Sequence, residues 1–206
     1  MRIVNNKIFI IKGETPTYSA SIRDKATGAP FVVDSGMYGK RPDGTSVNTL
    51  ILEFVVRDSA YSRNEDFRMK YDLLIEESEK FHIFDSQDII PYSTLTGVEI
   101  NNHWDNDVIP DEGFENYLYY RIDDAEEIYY SYYKEGVWTE YSFDFDITFE
   151  YSKTSKMEPK TYKYEVVLLG GSLKENPLPE ETIVNVVYKK PILDLTDFVV
   201  EGSVSE

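Results

Sequence analysis

The chain has 206 residues, 41% hydrophobic and 15% aromatic, which suits one large β domain or a domain with a sizeable insertion and is too apolar for wholesale disorder. Its 38 acidic and 21 basic residues give a formal charge of −17, which repels phosphate backbones and anionic lipid; no basic window offsets it, so neither nucleic acid nor membrane is an expected partner. The absence of cysteine excludes a disulfide framework and a thiolate metal site, and fits folding in a reducing cytoplasm.

The opening MRIVNNKIFIIKGE lacks the apolar core and cleavage site of a signal peptide, and no apolar run approaches the roughly 18 residues of a membrane helix, so the chain reads as soluble. KIFIIKGETPTYSASIRD predicts two short strands around a turn at Gly13, with Tyr18, Ala20 and Ile22 on one face. DKATGAP and the Pro42-Asp43-Gly44 stretch are turns, and TLILEFVVRDS between them and the next break is a central strand. In DFRMKYDLLIEE, Phe67, Met69 and Tyr71 alternate with Arg68, Lys70 and Asp72, again as in a strand.

From Glu76 to Gly113 the periodicity fades into long loops, with one helical turn expected near Glu76–Lys80. NYLYYRI, EIYYSYY and VWTEYSFDFDITFEY then read as three strands, the last two joined by a hairpin turn at Lys134-Glu135-Gly136. SKTSKMEPK is a polar break. TYKYEVVLLGG is a strand stopped by Gly170-Gly171, and the segment from Glu181 to Val204 supplies two more, separated near Pro191. About ten short strands with turns at short intervals sum to an all-β sandwich.

Candidate chemistry is sparse. His82, between apolar neighbours, and His103, in NNHWDND, have neither the spacing of a zinc site nor a placed serine for a triad. The acidic loop Asp105–Gly113 has carboxylates suited to Ca²⁺, but Ile109 and Pro110 stand where a calcium loop of the helix–loop–helix type needs a ligand and a glycine. Asp144 and Asp146 point the same way on a strand, roughly 6–7 Å apart, yet their alternation with Phe143 and Phe145 explains them as a solvated face. The GGS at Gly170–Ser172 lacks the pattern of a nucleophile elbow. No enzyme signature and no cofactor site emerges.

The outstanding feature is Glu115–Tyr141, 27 residues that hold eight of the 17 tyrosines and one of the two tryptophans. Tyrosine is apolar over its ring and polar at its tip, so it serves a core wall, a sugar platform or a protein contact. For sugar, Asn116, Arg121 and Asp123 would be the polar partners. There are more rings than one sheet face can hide. Tyr119, Tyr129, Tyr133 and Trp138 are therefore the expected partner-binding residues, with protein docking preferred and glycan stacking as the alternative.

The two ends of the chain together resemble a known family. FIIKGETPTYSASIRDKATGAPFVV, followed by LILEFVVRDS, resembles the opening of the N-terminal domain of baseplate upper proteins from tailed phages of Gram-positive bacteria. That family begins with a strand, a lysine–glycine–acid turn, an alternating strand and a D-x-x-G-x-P turn. Lys12, Gly13 and Glu14 occupy the first turn; Asp24, Gly28 and Pro30 approximate the second, with one extra residue before the glycine. YKYEVVLLGG and ILDLTDFVVEGSV are similar to the family's closing strands. The likeness spans roughly residues 7–75 and 160–204.

What the resemblance implies is a virion component without catalytic residues. The expected fold is an all-β, antiparallel sandwich of immunoglobulin-like or jelly-roll-like kind. Residues 1–75 and 160–206 would form its core, and 76–159 an insertion of loops and Tyr-rich β-hairpins. The expected function is a structural protein of a tailed phage, in baseplate, tail, neck or head, docking to other virion proteins in a symmetric assembly; the alternative is a carbohydrate-binding or host-receptor-binding module. It would be made in the bacterial cytoplasm and reside in the virion.

Overall fold

In KIFII every second side chain is apolar and branched, and the backbone obeys that period: β2 (Lys7–Ile11) buries Ile8 and Ile10 and leaves Lys7 and Ile11 exposed. The computed structural model describes residues 1–24, 27–40, 44, 46–61, 67–78, 81–91, 113–115, 117–122, 126–172 and 185–202. Strands dominate. The only α-helix among the described residues is a single turn, Tyr151–Thr154, so the chain is all-β.

The chain divides into two compact units: Met1–Ser19 with Tyr38–Ile75 and Asp146–Glu206, and Ala20–Met37 with Glu76–Phe145. The first is built on a six-stranded sheet ordered β1 (Arg2–Val4), β2, β16 (Asn185–Glu201), β15 (Thr161–Ser172), β7 (Thr49–Arg57) and β8 (Phe67–Ile75). A small ladder, β5 (Gly39–Lys40) with β6 (Ser46–Val47), belongs to the same unit. All nine residues of β7 are buried, as its largely apolar, β-branched run predicts for a central strand, and burial extends to the charged Glu53 and Arg57. One sheet face packs a ring cluster: Phe54 lies 5.3 Å from Tyr164 and 5.6 Å from Tyr18, and Phe149 lies 5.7 Å from Phe198. The other face carries charge in cross-strand pairs. Arg57 contacts Glu165, Lys7 and Lys163 share Asp197, and Lys70 Nζ sits 2.8 Å from Glu53 Oε2.

The second unit contains β4 (Val33–Asp34) paired with β9 (Ile83–Phe84), and a four-stranded sheet ordered β10 (Ile89–Pro91), β11 (Leu118–Ile122), β12 (Ile128–Lys134) and β13 (Val137–Tyr141). Glu135 and Gly136, both with positive φ, turn the chain between β12 and β13. β3 (Thr17–Ser21) pairs with β14 (Asp144–Thr148). Along β14, Phe145 and Ile147 are buried while Asp144 and Asp146 are exposed, the arrangement of an amphipathic strand.

Several local expectations change. The ladders are not purely antiparallel: β2 with β16, β10 with β11 and β4 with β9 run parallel. Gly170-Gly171 do not stop β15, because Gly170 lies under the Tyr188 ring and the absent side chain is what lets the strand pass. Pro191 does not divide β16. It sits opposite Val167 at a shift in register, in a stretch where the described residues give β16 no second neighbour, since β2 pairs only with Phe198–Glu201; proline is tolerated at such edges and bulges. The run from Val137 to Tyr151 is two strands with a break at Ser142-Phe143, and the second pairs away from the aromatic sheet. Phe67 is exposed while Met69, expected on the same side, is buried, and a bulge between β7 and β8 lies between them. The polar break after β14 holds the helical turn Tyr151–Thr154, whose Thr154 Oγ1 donates to the Glu14 carbonyl at 2.8 Å.

Candidate binding surface

The register of the four-stranded sheet decides which rings share a side. Tyr119 pairs with Ser131, Arg121 with Tyr129, Tyr133 with Trp138 and Ser131 with Glu140, and directly paired residues project to the same face. Tyr119, Tyr129, Tyr133 and Trp138 therefore lie on one face, together with Arg121 and Glu140. Leu118, Tyr120, Tyr130, Tyr132 and Tyr141 lie on the other.

On the first face, three of the four expected residues form a cluster. The rings of Tyr119 and Trp138 are 5.2 Å apart and nearly perpendicular, and Tyr133 is 5.3 Å from Trp138. Such edge-to-face pairs set the negative ring face against the positive ring edge. Gly113 closes over them: a Cβ there would come within 2.8 Å of Trp138 Cη2 and 2.9 Å of Tyr133 Cβ. Tyr119 is 1% exposed, and its hydroxyl accepts a 2.9 Å hydrogen bond from the Phe114 N–H. It is the wall behind Trp138. Tyr133 and Trp138 remain half-buried, with exposed Val137 and Phe114 nearby in the chain. Tyr129 stands apart, its hydroxyl donating to Glu127 Oε2 at 2.9 Å and its ring lying 4.6 Å beneath the Arg121 guanidinium.

The second face turns inward. Tyr132 lies 4.7 Å from the His82 ring and 6.4 Å from Phe84, Phe84 lies 5.5 Å from Tyr141, and Tyr141 donates to the Phe31 carbonyl at 3.0 Å. Burial pushes the phenols of Tyr119, Tyr130 and Tyr141 above the ordinary tyrosine range. A cavity of about 300 Å³ opens beside this face, lined in part by Glu77, His82, Asp85, Asp88, Tyr132 and Lys134. Glu77 organises its rim, with Oε1 3.0 Å from His82 Nδ1 and Oε2 accepting from the Ile83 N–H at 2.7 Å. Sequence reasoning missed Glu77, Tyr132 and this grouping, because no motif links a histidine to a tyrosine 50 positions later. The chain matches no family model, no curated protein and no solved structure.

Among the described residues no group of three or more histidines and carboxylates is placed to hold a metal ion. His103, Asn116, Asp123 and the acidic loop up to Glu112 lie outside the described residues. The chemistry that the aromatic sheet offers is apolar area with polar tips, suited to binding by contact.

Proposed function

We propose that the chain is a structural component of a tailed-phage virion. In this reading it is an all-β sandwich, immunoglobulin-like or jelly-roll-like, whose Tyr-rich hairpin insertion docks onto other structural proteins in a symmetric assembly. It is not an enzyme and takes no cofactor. It is made in the host cytoplasm and resides in the particle. One observation carries the reading: the aromatic sheet bears rings on both faces, and Tyr133 and Trp138 remain partly exposed on a firm backing of buried Tyr119. Each ring buried by a partner contributes roughly 1.5–3 kcal/mol, multiplied when copies bind together.

The test is quantitative mass spectrometry of purified particles. Stoichiometric copies are expected, and a Trp138→Ala chain that keeps its fold should fail to be incorporated. Absence from particles overturns the proposal. A carbohydrate-binding or host-receptor-binding module is the second reading, supported by the same half-buried Tyr133–Trp138 pair, since such rings also stack on pyranose faces. A saturable glycan response in tryptophan fluorescence, lost with Trp138→Ala, would favour it.

A further inference from the structure

Strand β8 ends the six-stranded sheet, and no strand among the described residues pairs with its outer edge. Nine residues of edge span roughly 30 Å and present a row of outward backbone groups, a template for another strand. Alongside runs a groove of about 480 Å³ lined by β8 itself together with Glu150 and Lys153.

One contact fixes which backbone groups face outward. Lys153 Nζ donates to the Lys70 carbonyl at 3.1 Å while lying 4.0 Å from the centre of the Tyr71 ring. The Lys70 carbonyl therefore points away from β7. Alternate residues of an antiparallel ladder send N–H and C=O to the same side, so the Asp72 backbone points outward too.

An incoming copy of the same edge must pair outward residues with outward residues. A two-fold axis through Tyr71 achieves this and sets each Lys70 opposite Asp72 of the other copy, with Met69 opposite Leu73. Moving the axis to Lys70 or to Asp72 opposes like charges directly, which is destabilising. Of these three registers, charge favours the axis at Tyr71. The two charges already lie together within one chain, with Asp72 Oδ2 3.2 Å from Lys70 Nζ.

We infer that β8 pairs antiparallel with β8 of a second copy of this chain about a two-fold axis at Tyr71, and that Lys153 is the plug that must leave the edge first. Such a contact is isologous, using the same surface on both copies. It rests on neither the aromatic sheet nor the virion reading, and its failure leaves both standing.

Sedimentation of the full chain at about 100 µM should read a dimer, and a monomer at that concentration overturns the inference. Because the chain lacks cysteine, introduced cysteines report register. Tyr71→Cys should form a covalent dimer on mild oxidation, since the axis residue meets its own copy in the close, non-hydrogen-bonded pair, and Lys70→Cys should not. If Tyr71→Cys fails to fold, Met69→Cys with Leu73→Cys on the same chain crosslinks instead, and neither does so alone. Crosslinking at position 70 in preference to 71, or through Val137→Cys in the aromatic sheet, sinks the assignment. Lys153→Ala should tighten association several-fold by freeing the Lys70 carbonyl; a looser dimer would remove the plug.

Discussion

Gly170 of β15 lies beneath the ring of Tyr188, its register partner on β16, so closely that a Cβ on Gly170 would overlap ring atoms Cε1 and Cζ. A buried glycine that admits a neighbouring ring is a packing device, and adding a methyl forces the ring or the strand to move. Gly170→Ala should cost about 1–3 kcal/mol in chemical denaturation. In a Tyr188→Ala background the same change should cost much less, because the obstacle is gone. Equal costs in both backgrounds would show that strain in the strand itself, not the ring, is responsible.

Arg57 and Glu165 form an ion pair on the charged face of the same sheet, with only 7% and 13% of their side chains exposed. Two charges held out of water depend on each other, and without Arg57 the Glu165 carboxylate keeps the more distant Lys189 Nζ, at 3.4 Å. Arg57 Nε has no hydrogen-bond partner, so the pair is already imperfectly satisfied. Arg57→Ala should lower unfolding free energy by about 3–5 kcal/mol, whereas Arg57→Met with Glu165→Leu should be close to neutral or stabilising. Denaturant midpoints of the two variants decide the matter, and a double variant no better than the single would refute the argument.

Periodicity named faces far better than it named neighbours. The apolar run of β7 and the alternation of β14 each named the buried apolar side chains, because burial period is a local property of the backbone, whereas the burial of Glu53 and Arg57 within β7 was not signalled. The four ring residues Tyr119, Tyr129, Tyr133 and Trp138 share a face for the same reason once the register is known. Pairing is not local. Nothing in the residues near Phe143 signals that β14 leaves the aromatic sheet for β3, and nothing near Pro191 signals a strand edge where proline costs little. The cavity beside Tyr132 was hidden likewise, since it gathers Glu77, His82 and Lys134 from separate segments.

Asp72 and Asp197 should respond to pH in opposite senses. Burial pushes the Asp72 carboxyl above the usual range despite the opposing pull of Lys70, so its folded pKa exceeds the unfolded value near 4. The proton then favours the folded state: that stability is fully present below about pH 4 and is lost as pH rises through the folded value. Asp72→Asn, measured at dilution, should therefore raise the melting temperature at pH 7 and give no gain at pH 3. Hydrogen bonds from Lys163 and Lys7 hold Asp197 below the usual range, so its contribution is present above about pH 4 and fades as pH falls through the lowered value. Asp197→Asn should be destabilising at pH 7 and less so in acid. Melting curves of the two variants that moved together with pH would contradict both assignments.

Tyr141 and Tyr164 bear on the alkaline side. Each phenol is buried and donates to a backbone carbonyl, Tyr141 to Phe31 and Tyr164 to Asn6, and burial drives both pKa values far above the ordinary phenol range. The neighbouring Tyr18 hydroxyl adds to the shift at Tyr164. Folded pKa values raised this far mean that stability is intact near the unfolded value of about 10 and erodes as the pH climbs beyond it. Near-ultraviolet titration of the folded chain should set these two phenols apart from the rest of the tyrosine signal. Tyr141 and Tyr164 should ionise only as the fold opens, in step with loss of the far-ultraviolet β signal. Tyr141→Phe should remove one residue's worth of that late phase and cost about 1 kcal/mol at neutral pH by leaving the Phe31 carbonyl without its donor. An early, reversible titration of all the tyrosines would show that these phenols are open to water and that the ring clusters are looser than their spacing implies.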